Sequence, residues 1–369
     1  MSAAAILGAP VPACAVGPAR ERMMAVPALA ERGAIGLSLA LDERAVVPGP
    51  GELRAISDGN RSVVLPDVRV EYAGREWMLS VKGAGASTPA YDVFPIDDLE
   101  GRVIAGEAWM GDAPYGGQGL AGARDALAIT ALADDAATLE GVCICPVVRV
   151  VEVPEAHVRR DCFWYRRWRG PVVQEHRLVP SDVRLFHGSE AALGRDAERA
   201  LSAFGVCDVP ALDAFVERYL RTGVAALTLW ARTAREHEGE WEGLEYDDAW
   251  LDKDSVIAAD GALHLVDLEA LEWTPATRRM PIRRRIERQI DRNFYELAYG
   301  LDAMLDVRDR WLDRVEDGAA RRASVAARLE LALVGDPWVS VIDRGEGIDL
   351  RVRAPGDHED VTVRVLDRR

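Results

Sequence analysis

Lys82 and Lys253 are the only lysines among the 45 basic residues of this chain, and both stand among groups that can handle phosphate or a divalent metal. Lys82 ends the apolar run Trp77-Met78-Leu79-Ser80-Val81 and opens Val81-Lys82-Gly83-Ala84-Gly85. Lys253 lies in Leu251-Asp252-Lys253-Asp254-Ser255, ahead of a segment that closes on Val266-Asp267. An ammonium is a compact point charge on a flexible stem, suited to phosphate oxygens, whereas a guanidinium presents a planar fork. Asp252, Asp254 and Asp267 are hard oxygen donors of the kind Mg²⁺ takes. Codon preference alone would also leave a few stray lysines, so the neighbouring residues carry the argument.

These groups need elements to hold them. Residues 63–65 and 68–72 alternate as short strands, 73–75 read as a turn, and 77–81 lead into Lys82, predicting a small antiparallel meander. Residues 83–120 read as loop, and their glycine-rich segment 114–119 could offer backbone N–H groups to a phosphate or serve as a connector. A helix is expected over 121–133 and a strand over 141–153. The second half turns helical, over 190–204 and 209–237, with Pro210 at a helix start. Two short strands flank Asp260-Gly261, a hairpin signal. Further helices are expected over 282–305 and 319–333, and the tail 338–366 alternates as three small strands. The lead-in, residues 1–45, reads as flexible with one helix over 19–31. The expected organisation is therefore lead-in 1–45, strand-rich lobe 46–155, helical lobe 156–336 and β appendage 337–369, without internal repeats.

Bulk properties exclude some functions. A hydrophobic share of 49% allows a substantial core. The formal net charge of -16 argues against nucleic acid or an anionic membrane as the main partner, although local basic patches occur at Arg159-Arg160, Arg166-Arg167 and Arg283-Arg284-Arg285. Five cysteines at irregular spacing do not make a disulfide framework, and Cys143 and Cys145 read as buried structural thiols. No apolar run reaches membrane-spanning length and no secretory leader is apparent, so a cytoplasmic location is expected. Six scattered histidines, with neither Gly-x-Ser-x-Gly nor His-Glu-x-x-His, leave a hydrolase without its residues.

A strand-rich half with a lysine at a strand end, then a helical half with acidic loops, outlines an α+β, protein-kinase-like bilobal fold. Val81-Lys82-Gly83-Ala84-Gly85 with Thr88-Pro89 resembles the Lys-Gly-Ala-Gly-x-Thr-Pro segment of the SelO/YdiU family of pseudokinase-like protein adenylyltransferases. Ala123-Arg124-Asp125-Ala126-Leu127-Ala128 is similar to that family's Ile-Arg-Glu-Phe-Leu-Ala helix. His176-Arg177-Leu178-Val179-Pro180-Ser181-Asp182-Val183-Arg184 resembles its Cys-Arg-Val-Ala-Pro-Ser-x-x-Arg run. Asp252 to Ser255 and Asp267 fall where its Thr-Asp-Asn loop and Asp-Tyr-Gly would lie.

The resemblance implies ATP bound in a flipped orientation and AMP transfer (AMPylation) to an acceptor hydroxyl, with Mg²⁺, or Mn²⁺ in its place. Lys82 would contact phosphate, Asp125 would hold Lys82, and Arg177 and Arg184 would complete the nucleotide-binding set. Asp252 would be the general base, with Asp248 or Asp247 as the alternative, and Asp267 a metal ligand. The family's Asn aligns with Lys253 or Asp254; a protonated lysine cannot ligate Mg²⁺, so Asp254 is the chemically sensible ligand. Departures are Asp125 in place of Glu, Asp267-Leu268-Glu269 without the family's Gly, and no His-Gly before the loop. The acceptor is a protein, peptide or small-molecule hydroxyl. A phosphotransferase and an inactive nucleotide-binding scaffold are the competing readings.

Overall fold

The structure, a computed structural model, describes residues 21–25, 37–38, 52–57, 62–82, 118–133, 138–152, 171–185, 196–246, 251, 254–314, 318–344 and 347–367. The architecture is mixed α+β, and the chain divides into two compact units. Unit 1 comprises Met1–Ala137 with Cys145–Asp182, and unit 2 comprises Thr138–Ile144 with Val183–Arg369.

Unit 1 begins with β1 (Glu21–Ala25), β2 (Leu37–Ser38), β3 (Glu52–Ser57), β4 (Ser62–Tyr72), β5 (Arg75–Lys82) and β6 (Gln118–Gly119), then helix α1 (Leu120–Leu132). After β7 (Thr138–Leu139) and β8 (Val142–Ile144), which belong to unit 2, it resumes with β9 (Val147–Glu152) and β10 (Val172–Val179). These strands form one antiparallel sheet in the order β1-β3-β4-β5-β10-β9-β2, with β6 also paired to β10. Instead of a helix over 19–31, residues 21–25 form β1, because pairing along the whole of that segment with β3 outweighs local helix propensity.

The expected strands 63–65 and 68–72 are one strand, β4, whose register against β5 shifts between Leu65 and Arg69. Pro66 lies in that interval; it has no N–H to give the ladder, so a bulge forms there. From Trp77 to Lys82 every residue of β5 is buried, so both faces of this central strand are covered. Helix α1 buries its small residues Ala123 and Ala126 together with Ile129 and Thr130. The Thr130 hydroxyl accepts from Val147 N (2.9 Å) and donates to Ala126 O (3.0 Å), fastening α1 to the start of β9.

Unit 2 continues with α2 (Ala197–Ala203), α3 (Val209–Leu227), α4 (Leu229–Thr233), β11 (Arg235–His237), β12 (Glu240–Tyr246), β13 (Ser255–Ile257), β14 (Leu263–Leu265) and β15 (Leu271–Pro275). It ends with α5 (Ile282–Trp311), α6 (Gly318–Ala332), β16 (Val339–Asp343), β17 (Gly347–Val352) and β18 (Val361–Asp367). Three sheets result: β13-β14-β8-β7, β11-β12-β15, and the C-terminal meander β16-β17-β18. Asp196 and Asp208 cap α2 and α3 by accepting from Arg199 N (3.1 Å) and Ala211 N (2.8 Å). Helices α3 and α5 pack closely through small residues: a Cβ at Gly223 would stand 2.3 Å from Leu297 Cδ1, and the Tyr219 hydroxyl donates to Leu297 O at 2.9 Å. The helix expected over 209–237 stops at Leu227, and its last residues enter the β11–β12 hairpin, whose turn residues Glu238 and Gly239 both have positive φ. No helix among the described residues is long and apolar enough to cross a membrane.

Candidate functional site

Two clusters gather the residues that the sequence marks for chemistry, one in each unit. In unit 1 the β5–β10 register sets Lys82 opposite Glu175 and Ser80 opposite Arg177, and on the other side of β5 Ser62 lies opposite Lys82. Directly opposed residues share a face, and alternate residues along a strand return to it. Ser62, Ser80, Lys82, Glu175 and Arg177 therefore occupy one face at the middle of the sheet, joined by Gln118, which β6 sets opposite Val173. All six are buried.

Arg177 ties three strands together. Its Nε donates to Ser80 Oγ (3.3 Å) and its Nη2 to Ser62 Oγ (3.1 Å), while Nη1 stands 3.9 Å from Glu175 Oε1. The last is an ion pair beyond hydrogen-bond length, between groups 1% and 0% exposed. Helix α1 starts directly after Gln118-Gly119, with no side-chain cap and no acidic residue in its first turn. A helix start of that kind is electrostatically compatible with an anion. Asp125, by contrast, lies on the exposed side of α1, opposite the buried Ala123, Ala126, Ile129 and Thr130. The structure brings Lys82 and Arg177 together on the sheet and sets Asp125 facing solvent.

In unit 2 the β13–β14 hairpin brings Asp254 and Asp267 together. Ser255 pairs with Leu265, and the ladder runs one step further because Val266 N donates to Asp254 O at 2.9 Å. Asp254 thus enters the hairpin beside the point where Asp267 leaves it. The turn is held by Asp260, whose Oδ1 accepts from Ala262 N at 3.0 Å. Gly261 has φ +90°, and a Cβ there would lie 2.3 Å from Phe215 O, so no larger residue fits. Thr222 on α3 accepts from Leu263 N (2.8 Å), and Ile257 N donates to Val183 O (2.9 Å), anchoring both strands.

The backbones of Asp254 and Asp267 meet at Tyr246, at the end of β12. Its hydroxyl donates to Asp254 O (3.1 Å) and accepts a hydrogen bond from the Asp267 backbone. Burial pushes the phenol well above its ordinary value; Asp254 and Asp267 raise it further, and Arg184 opposes them. Arg184 is bridged by its backbone to Val256 and is 6% exposed. Asp254 is 4% exposed and Asp267 is partly open. Among the described residues no group of three or more His, Cys, Asp or Glu is arranged to hold a metal. Mg²⁺ commonly takes only one or two carboxylates and fills its octahedron with water and phosphate, so the Asp254/Asp267 pair is a fitting donor set.

Asp247, Asp248, Asp252 and Lys253 lie outside the described residues. Cys143 and Cys145 are buried. His264 is also buried, its Nδ1 at 3.2 Å from Ile144 O across the parallel β8–β14 pair, which suits a structural hydrogen bond. Sequence reasoning missed Glu175 and Tyr246. The only signal for Glu175 was four consecutive polar residues, Gln174 to Arg177, inside an apolar run; for Tyr246 it was a terminal aromatic on an alternating segment. No protein-family model matches the chain, and no curated protein matches it. The chemistry of these two clusters is what remains to argue from: one holds cations suited to phosphate oxygens, the other carboxylates suited to a divalent cation.

Proposed function

We propose that the chain is an ATP- and Mg²⁺-dependent nucleotidyl transferase of protein-kinase-like fold, similar to the SelO/YdiU family, moving AMP to a hydroxyl of a protein, peptide or small molecule. The observation that carries the reading is the acid pair. Asp254 and Asp267 bracket one hairpin, and the buried Tyr246 phenol meets the backbone of both. Within unit 1, Lys82 and Arg177 are buried on one sheet face and are cations of a kind suited to phosphate oxygens.

In this reading Asp254 and Asp267 of unit 2 would hold Mg²⁺, which would supply charge neutralisation at a phosphate. Lys82 and Arg177 of unit 1 are cations of the kind that orient phosphate oxygens. The acceptor oxygen forms a bond to the α-phosphorus as the bond to the bridging oxygen breaks and pyrophosphate leaves. Asp252 takes the hydroxyl proton, with Asp248 the alternative base. Tyr246 ties the backbone of Asp254 to that of Asp267.

The test is incubation of the full chain with ATP labelled separately at the α- and γ-phosphates, with Mg²⁺ and with Mn²⁺, followed by intact mass measurement. Incorporation of AMP, lost in Lys82→Ala and Asp267→Ala, is the expected result. Incorporation of phosphate alone would replace nucleotidyl transfer with phosphoryl transfer. Absence of nucleotide binding would overturn both.

A further inference from the structure

The basic run Arg283-Arg284-Arg285 is divided by the fold. Arg285 turns inward, its Nη1 donating to Glu245 Oε2 (2.5 Å) and its Nη2 to Pro275 O (3.1 Å). Arg283 and Arg284 point outward, with side chains 73% and 72% exposed, and share the carboxylate of Glu287 at 2.7 and 3.2 Å. Asp291, further along α5, also interacts with Arg284. Arg278 and Arg279 are the central residues of a bend that Thr277 and Met280 close. The Thr277 Oγ1 accepts from Met280 N (3.1 Å), and Thr277 N donates to Met280 O (2.9 Å). Both arginines are exposed, and among the described residues neither side chain has a hydrogen bond or an ion pair. The bend leads straight into α5, whose first turn is set by Arg285 N donating to Pro281 O at 3.1 Å.

We propose that the arginine bend and the first turn of α5, residues 277–284, form a docking surface for a short acidic segment of a partner protein. A guanidinium presents a planar fork of donors that matches a carboxylate, and Arg278 and Arg279 have theirs open to solvent. The occupant is short because the positive region is short. Pro275 lies opposite Glu242, and Ala276 N donates to Trp241 O at 2.6 Å, so the bend leaves the sheet beside the β11–β12 hairpin. That hairpin carries Glu236, Glu238 and Glu240, all exposed. A nucleic-acid duplex or an anionic membrane would extend past the bend onto those carboxylates, on a chain whose formal net charge is -16. An acidic segment of a few residues meets the arginines alone, since exposed charges farther apart than about 8 Å are largely screened at physiological salt. Backbone bonds hold the bend before a partner arrives, so binding does not have to order it. This surface stands apart from the phosphate and metal chemistry proposed above.

The test is fluorescence anisotropy of a labelled oligoglutamate peptide of about eight residues, long enough at ~3.3 Å per residue to span the bend and the first helical turn. The full chain should bind it at low salt and release it as salt rises. Arg278→Gln/Arg279→Gln should weaken binding about fivefold or more. Arg314→Gln, at an exposed arginine beyond the other end of α5, should leave binding unchanged. All three side chains are exposed, so the variants should melt with the parent chain. Absence of peptide binding at low salt, or an equal loss in Arg314→Gln, would overturn the proposal. Duplex DNA bound more tightly than the peptide, and lost in the double variant, would give the surface to a polyanion instead. Self-association in sedimentation that the double variant abolishes, without peptide binding, would give it to the acidic hairpin of a second copy. Either result would also overturn the proposal.

Discussion

The two clusters hold charge by opposite means. In unit 1 the cations sit within strands, Lys82 as the last residue of β5 and Arg177 inside β10, on positions fixed by register across β4, β5 and β10. In unit 2 the carboxylates sit just outside the strands, one before β13 and one after β14, and are fixed by a shared backbone bond and a tyrosine. The sheet-face set is buried throughout, so loss of a charged partner there is expected to cost stability. The hairpin-end set leaves Asp267 partly open. On the proposed reading, charges in the first cluster bear on stability as well as function, and those in the second mainly on function.

The sharpest way to break this comparison is to remove one acid. Asp267→Asn should cost at least ~100-fold in nucleotide-dependent transfer, because a metal at a phosphoryl centre supplies several kcal/mol of charge stabilisation. Its thermal midpoint should stay close to that of the parent chain, and a large fall in stability would erase the distinction between the clusters. Arg177→Met should do the reverse to the fold: removing one partner of a buried ion pair costs about 3–5 kcal/mol, read as a lower denaturant midpoint.

A smaller effect concerns alkaline pH. The Tyr219 phenol is fully buried between α3 and α5 and pushed well above its ordinary value by desolvation, with Glu296 adding to the rise. The unfolded chain releases that proton near pH 10, while the folded chain holds it to higher pH. The contribution to stability is therefore fully present below about pH 10 and is lost as pH rises beyond it. Tyr219→Phe, followed by thermal melts from pH 8 to 11, should flatten that loss at the cost of the bond to Leu297 O, about 1 kcal/mol. An unchanged alkaline slope would place the titrating group elsewhere. The smallest effect belongs to Asp125→Asn, expected within about 0.5 kcal/mol in stability because the residue faces solvent. A large fall in transfer rate for this variant would return the lysine-holding role to α1.

Periodicity made part of this architecture legible. The tail alternates as three strands and forms β16, β17 and β18; the helices over 121–133 and 319–333 appear nearly residue for residue as α1 and α6. Asp260-Gly261 announces its own turn. The acid pair could be picked out because a hairpin converts sequence distance into proximity, and the hairpin signal was local. What stayed hidden depended on partners distant in sequence. β10 carries Gln174, Glu175, His176 and Arg177, a pattern that looks like a solvated segment until β5 and β9 enclose it. β12 and β15 pair across residues 242–275, and neither has a turn signal pointing to the other. The β1 segment reads as helix on its own and becomes a strand through β3.

The most direct test of the account is titration calorimetry of ATP into the full chain, with and without Mg²⁺, for the parent protein and for Asp254→Asn and Asp267→Asn. The account predicts Mg²⁺-dependent ATP binding that either substitution weakens at least tenfold. ATP binding indifferent to Mg²⁺ and to both aspartates would contradict the assignment of the acid pair, and with it the proposed transferase.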